Sequence, residues 1–138
     1  MRWLGVDAGE ARVGIAACDA EERVAVPLEV VLASAAFPAI RAIAAREGVG
    51  GIVVGLPLHA DGGEGEAVRM ARRLGDRLAR ALAIPVEYED ERFSSAEAQA
   101  PAEAGRGARS ARPRDDLAAA VILQRFIDRR RGGRGAPP

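Results

Sequence analysis

Apolar and polar positions change rhythm several times along this chain, and each rhythm predicts an element. Arg2–Ala8 alternates toward Asp7, and Arg12–Cys18 is apolar and broken by glycine. A tight turn over Gly9–Ala11 would join them as two strands. Val24–Leu32 is β-branched and interrupted by Pro27, which suits a third strand at a sheet edge. Three consecutive strands predict an antiparallel meander.

The period then lengthens. Ala35–Glu47 reads as a helix, with Ser34 as N-cap, Gly48 as stop, and Ile40, Ile43 and Ala44 on one face. Gly51–Gly55 (GIVVG) is short and wholly apolar, as a strand buried on both faces would be. A loop, LPLHADGGEG, leads into the clearest helix, Glu66–Leu82, where Ala67, Ala71, Leu74, Leu78 and Ala81 recur at helical spacing. Its arginines mostly fall off that stripe, giving a solvated face with Glu66 and Asp76 as partners. Pro85–Asp90 reads as a fifth strand and Phe93–Ala104 as a weaker helix. Residues 105–114 form a basic loop, Asp115–Arg130 a last helix, and residues 132–138 a flexible tail after a single domain over 1–131. The order β-β-β-α-β-α-β-α predicts an α/β fold: a meander, then parallel crossovers that place helices on both faces of one sheet.

Composition narrows the function classes. The chain has no apolar run of 18 residues and no signal-peptide pattern, so it reads as soluble and cytoplasmic with no membrane partner. One cysteine and one histidine exclude an intrachain disulfide and a cysteine-based zinc site, and make a Cys–His catalytic pair a poor reading. Cys18 fits a small buried apolar residue and His59 an ordinary loop residue. All 20 basic residues are arginine, and the net charge is zero. The distribution is lopsided: residues 1–104 hold 11 Arg and 17 acids, residues 105–138 hold 9 Arg and 3 acids. A basic C-terminal quarter on an acidic body suits an anionic partner, although a solubilising tail would look the same.

Acids stand at the ends of three predicted elements. Asp7 ends the first strand, Asp90 and Glu91 end the fifth, and Asp115 and Asp116 open the last helix. Converging carboxylates can hold Mg²⁺, which prefers oxygen ligands, and paired ions can clamp both oxygens of a phosphodiester displacement. Each acid also has a plain structural reading, as turn, cap or ion-pair residue. Only convergence in space separates the two.

Four blocks of sequence resemble one family. GVDAGEARVGIAACD, VVGLPLHADGGEGE, DERFSSAEA and DDLAAAVILQRFID stand in the order of the motifs of the YqgF family. Its members are pre-16S rRNA nucleases similar to Holliday-junction resolvases. The resemblance implies a ribonuclease H-like fold, a five-stranded mixed sheet flanked by helices. It implies a nuclease using Mg²⁺ or Mn²⁺, with Asp7, Glu91 and Asp115 as catalytic metal ligands and Asp90 in reserve for Glu91. Structured RNA such as pre-rRNA, or branched DNA, would be the substrate of a monomer or homodimer. Arg12 and Arg92 match the motifs as phosphate contacts, and Arg106, Arg109, Arg112 and Arg114 would attract backbone, with Arg125 and Arg129–Arg131 beside them. Gly55 and Gly62 would let backbone approach the substrate. His59 departs from the asparagine expected there. Two other readings stay open: a non-catalytic nucleic-acid-binding module, and an actin-like ATPase, whose two lobes a chain this short does not supply.

Overall fold

The computed structural model describes residues 1–57, 65–91 and 115–135. Its sheet has five strands: β1 (Trp3–Ala8), β2 (Arg12–Cys18), β3 (Ala25–Leu32), β4 (Gly51–Leu56) and β5 (Val86–Asp90). They lie in the order β3-β2-β1-β4-β5. The meander β1-β2-β3 is antiparallel, while β4 and β5 join β1 in parallel. This is the mixed sheet that the motif resemblance implied. Helices α1 (Ala36–Glu47) and α2 (Glu66–Leu82) cover one face and α3 (Asp115–Gly135) the other.

Strand alternation assigns each residue to a layer. Leu4, Val6, Ile15, Ile52 and Val54 pack with Ile40, Ile43 and Leu78 under α1 and α2. Trp3, Ala16, Cys18 and Val53 pack with Ile122, Leu123, Phe126 and Ile127 of α3. Cys18 is buried there, as its composition suggested. Gly5 falls on the α3 face, and a Cβ there would stand 2.8 Å from both the Ala119 carbonyl oxygen and Leu123 Cβ. The helix therefore rests on bare backbone. A carbonyl cannot yield as a side-chain tip can, so Gly5→Ala should cost about 2 kcal/mol. Thermal unfolding should show it as a Tm drop of about 6 °C.

Polar side chains pin α3 in place. Gln124 accepts a hydrogen bond from the Ala25 amide (2.8 Å) and donates to the Arg23 carbonyl (3.0 Å). Arg129 forks onto buried Glu89 of β5. Arg130 donates to buried Glu22 (2.9 Å) and lies over the Trp3 and Phe126 rings. That hydrogen bond, ahead of other charges, holds the Glu22 carboxyl down at about 2.

Several element ends differ from the sequence expectation. Ser34 does not cap α1; a 3-10 turn over Ala33–Ala35 precedes it, and Ala35 is the N-cap, with no side-chain cap bond. Gly48 does end α1, in the left-handed conformation (φ 64°). The helix α3 runs through Gly135, so residues 132–135 are helical rather than tail. The buried stripe of α2 is Val68, Ala71, Gly75 and Leu78, rotated from the alanine-rich reading, and Ala81 is exposed. Gly75 explains the rotation: a Cβ there would meet the Tyr88 hydroxyl at 2.5 Å, so β5 approaches the helix where no side chain stands. The arginine face is largely exposed and has Glu66 as a partner, as expected. Arg69 and Arg73 pair with Glu66, while Arg72 lies over Tyr88 and Arg77 over Phe37. Asp76 instead accepts the Tyr88 hydroxyl (2.8 Å).

A bulge interrupts β3. Ala16 pairs with Pro27 and Ile15 with Glu29, which leaves Leu28 as the extra residue. Before it, Ala25 faces α3; after it, Val30 and Leu32 do, opposite Gly14 and Arg12. Without the extra residue those two side chains would point to the other layer.

Candidate active site

The parallel strands β1, β4 and β5 all end at one edge of the sheet, the usual place for ligands in open α/β sheets. At that edge Asp7 lies on the α3 face, in the alternation Trp3–Gly5–Asp7, paired with Gly14 of β2. The turn behind it uses Gly9 as expected: its amide donates to the Arg12 carbonyl (2.9 Å), and a Cβ would sit 2.7 Å from that oxygen.

Glu91 follows β5 directly and its carboxyl meets that of Asp7. The space for it comes from Gly55 of β4. A Cβ at Gly55 would stand 2.5 Å from Glu91 Oε2 and 2.6 Å from Ile122 Cδ1. Gly55 therefore makes room for a carboxylate of the protein itself, a correction to the expectation that it opens backbone to substrate. Burial pushes the Glu91 carboxyl up to about 8, and the charge of Asp7, a hydrogen bond with it, and the charge of Asp90 act in the same direction. Oε2 of Glu91 is buried with no hydrogen-bond partner among the described residues. Two acids in one enclosed site cannot both ionise cheaply, so at neutral pH this pair holds a proton that a cation could replace.

Asp90 points elsewhere. It alternates with Tyr88 and Val86, which pack on the α1–α2 layer, so it stands on the opposite face from Asp7. The residue that meets Asp7 is Glu91. Asp115 opens α3, and Asp116 beside it is half-buried. Ala119, one turn on, lies over Gly5, two residues before Asp7 along β1. Two strand residues span about 6.6 Å, close to one helical turn of about 5.4 Å, so the start of α3 reaches the level of Asp7. Among the described residues, no group of three acidic, histidine or cysteine residues is placed to hold a metal ion.

Arg12 is exposed at the start of β2, on the same face and edge as Asp7. Three arginines of α3 make ion pairs within the molecule, and the Arg129 side chain stays 61% exposed. Arg129 is bound to Glu89 and Arg130 to Glu22, and Arg131 donates to the Glu22 carbonyl and to Asp128. Arg92, Arg106, Arg109, Arg112, Arg114, His59, Gly62 and the helix expected over Phe93–Ala104 lie outside the described residues. Two features that shape the site escaped the sequence reading. Gly5, which seats α3, looked like an ordinary strand glycine. The β3 bulge left a faint signal, since Pro27–Leu28 breaks the alternation.

Residues 1–129 match the family described as RuvX, Holliday junction resolvase. This chain belongs to the RuvX family. RuvX proteins similar to it include one named "Putative pre-16S rRNA nuclease" from Anaeromyxobacter sp. (strain Fw109-5). It is 49% identical over 135 residues, covering 94% of this chain and 98% of that protein. A protein of the same name from Dechloromonas aromatica (strain RCB) is 40% identical, covering 91% and 89%. The RuvX chain is thus a nuclease, a hydrolase of phosphodiester bonds. Its fold is that of Thermus thermophilus RuvC, at a TM-score of 0.64 and 17% identity over 96% of this chain and 97% of that one. A second structure, T. thermophilus RuvC in complex with Holliday junction substrate, superimposes at a TM-score of 0.62. This is the ribonuclease H-like architecture that the motifs implied. No described helix is long and apolar enough to cross a membrane.

Proposed function

We propose that this RuvX chain is a divalent-metal-dependent nuclease that trims the 5′ end of precursor 16S rRNA in the cytoplasm, with Asp7, Glu91 and Asp115 as its catalytic ligands. The observation that carries the reading is the Asp7–Glu91 pair, wedged against Gly55 with one enclosed oxygen lacking a partner among the described residues. An all-oxygen, anionic donor set of this kind fits Mg²⁺ or Mn²⁺. A bound divalent ion would supply an activated water and neutralise charge developing on the phosphodiester.

The chain's own residues do the rest. Asp7 pairs with Gly14 of β2, and Val6 before it pairs with Val54 of β4, so its carboxylate is positioned by a rigid sheet. Glu91 is enclosed by Gly55 and Ile122, which exclude water from one side of the site. Because the pair holds a proton at neutral pH, its capacity to hold a cation would depend on pH. Asp115 would close the ligand set from the first turn of α3. Arg12 stands where the entering backbone would pass, and the arginines of 105–114 would add sequence-independent attraction.

A second reading, cleavage of branched DNA, draws on the family's description and on the fold shared with RuvC. Resolving a four-way junction requires two active sites and hence a dimer. The deciding experiment incubates the full chain with a labelled pre-16S rRNA leader and a four-way DNA junction, with Mg²⁺ or with chelator. Cleavage of the leader alone, lost with chelator, supports the proposal; cleavage of the junction alone moves it to the second reading. Cleavage undiminished by chelator removes the metal role.

Gly55→Ala tests the positioning of Glu91. The new methyl must displace the carboxylate by about 1 Å, and a misplacement of that size costs about 100-fold in rate. The displaced atoms are the ends of flexible side chains, so the fold should hold. Single-turnover cleavage and a thermal melt, run on the same sample, check both halves.

A further inference from the structure

Outside the acidic pair, the most unusual surface is β3. Among the described residues, and apart from Met1, the large apolar residues that stand exposed are Val24, Val26, Val30 and Leu32, all on or beside this one strand. The bulge at Leu28 divides them between faces. Val26, opposite Ala17, belongs to the α1–α2 side; Val30, opposite Gly14, and Leu32, opposite Arg12, belong to the Asp7 side. Val30 is 40% and Leu32 64% exposed, so α3 leaves both open.

Their register places them beside the acids. Asp7, Gly14 and Val30 form one row across β1, β2 and β3. Two strand spacings, about 10 Å, separate Asp7 from Val30. Arg12 and Leu32 form the next row toward the edge. In the other direction the same face is closed: Glu91 fills the space over Gly55, and the Arg129–Glu89 pair joins α3 to β5. Among the described residues, the side of this face that remains open to a strand reaching Asp7 is the β3 side.

The geometry points to a nucleotide platform: Val30 and Leu32 carry the sugar and base face of the nucleotides flanking the scissile phosphate, and Arg12 between them and Asp7 takes a flanking phosphate. This rests on the nuclease reading above and adds the direction from which the substrate strand crosses the site. The occupant is a nucleic-acid strand because the apolar pair lies in register with a guanidinium and continues into the acidic pair. Base and sugar faces are sequence-tolerant partners, and Arg suits a phosphate. The bulge then has a purpose, since it turns Val30 and Leu32 onto the working face.

The test measures binding of a fluorescein-labelled single-stranded RNA and a labelled four-way DNA junction by the full chain, in an Asp7→Asn background that removes turnover. Val30→Asp and Leu32→Asp should each weaken binding of at least one probe about tenfold, and Leu32→Phe should tighten it. Val26→Asp, equally exposed on the same strand but on the opposite face, should stay within twofold. With Asp7 restored, the two aspartate variants should raise KM more than they lower kcat. Melting temperatures close to the parent's show that the exposed substitutions leave the fold intact. The platform is overturned if Val26→Asp weakens binding as much as Val30→Asp, or if none of the three does. It is equally overturned if Val30→Asp and Val26→Asp both convert a dimer to a monomer in sedimentation, since β3 is then an interface between copies. A wild type that cleaves nothing but still binds in a Val30- and Leu32-dependent way would sink the catalytic reading and leave the platform standing.

Discussion

Asp7→Asn is expected to lower cleavage by roughly 1,000-fold or more, with binding of the same substrate changed less than about twofold. The two side chains have the same shape, and the backbone pairing of Asp7 with Gly14 does not depend on the charge. What is lost is a negative oxygen facing the site. An amide oxygen is a poorer ligand for a hard cation, so the loss should appear in the chemical step rather than in substrate affinity. Binding should persist because Arg12, the apolar residues of β3 and the basic segment are untouched. The measurement is single-turnover cleavage alongside a binding isotherm. Residual cleavage above about a tenth of wild type would remove Asp7 from the chemistry, and a parallel loss of binding would make it a structural residue.

The metal-free protein should become less stable as pH rises from about 5 to about 8. The unfolded Glu91 carboxyl titrates near its ordinary 4.5, while burial and Asp7 push the folded one up to about 8. A folded-state pKa raised above the unfolded value favours folding fully below about 4.5, and that contribution is lost as pH climbs through about 8. Glu22 works in the opposite sense. Held at about 2 by Arg130, it contributes stability above about 4.5 that is lost as pH falls toward 2. The two place the stability maximum of the metal-free protein near pH 5. Glu91→Gln should flatten the alkaline side of this profile and raise the Tm at pH 8, even as it removes activity. Mg²⁺ should stabilise wild type more at pH 8 than at pH 5, because at low pH the ion competes with the shared proton. Differential scanning calorimetry across this range, with and without Mg²⁺, reads all three. An unchanged profile in Glu91→Gln would mean that the raised carboxyl has no energetic weight.

Much of the architecture was legible because local pattern and tertiary environment agree. GIVVG is apolar at every position, and β4 is buried on both faces at the centre of the sheet. Gly48 ends α1 in the conformation that favours glycine. The site was legible in part. Element ends flagged Asp7, Asp90, Glu91, Asp115 and Asp116, and the motif match selected Asp7, Glu91 and Asp115. Gly55 misled, because a glycine beside an active site can serve substrate or protein, and only the position of Glu91 tells which. The ion pairs of α3 were not legible at all: Arg129 and Arg130 reach the buried carboxylates of Glu89 and Glu22. Glu22 lies 108 residues from Arg130 and Glu89 lies 40 from Arg129, and sequence carries no record of such pairings.

Periodicity, turn residues and motifs are local properties of the chain, and the elements, the family and the candidate acids could be read from them. Tertiary structure alone decided which acids meet. Register across β1, β4 and β5 brings Asp7 against Glu91 and turns Asp90 to the other face, and a bare Gly55 lets the carboxylate sit there. The same holds for β3, where one extra residue reverses the faces of Val30 and Leu32. Pairing register and facing are relations between segments far apart in sequence. Desolvation, charge coupling and a common working surface arise only once folding has set them.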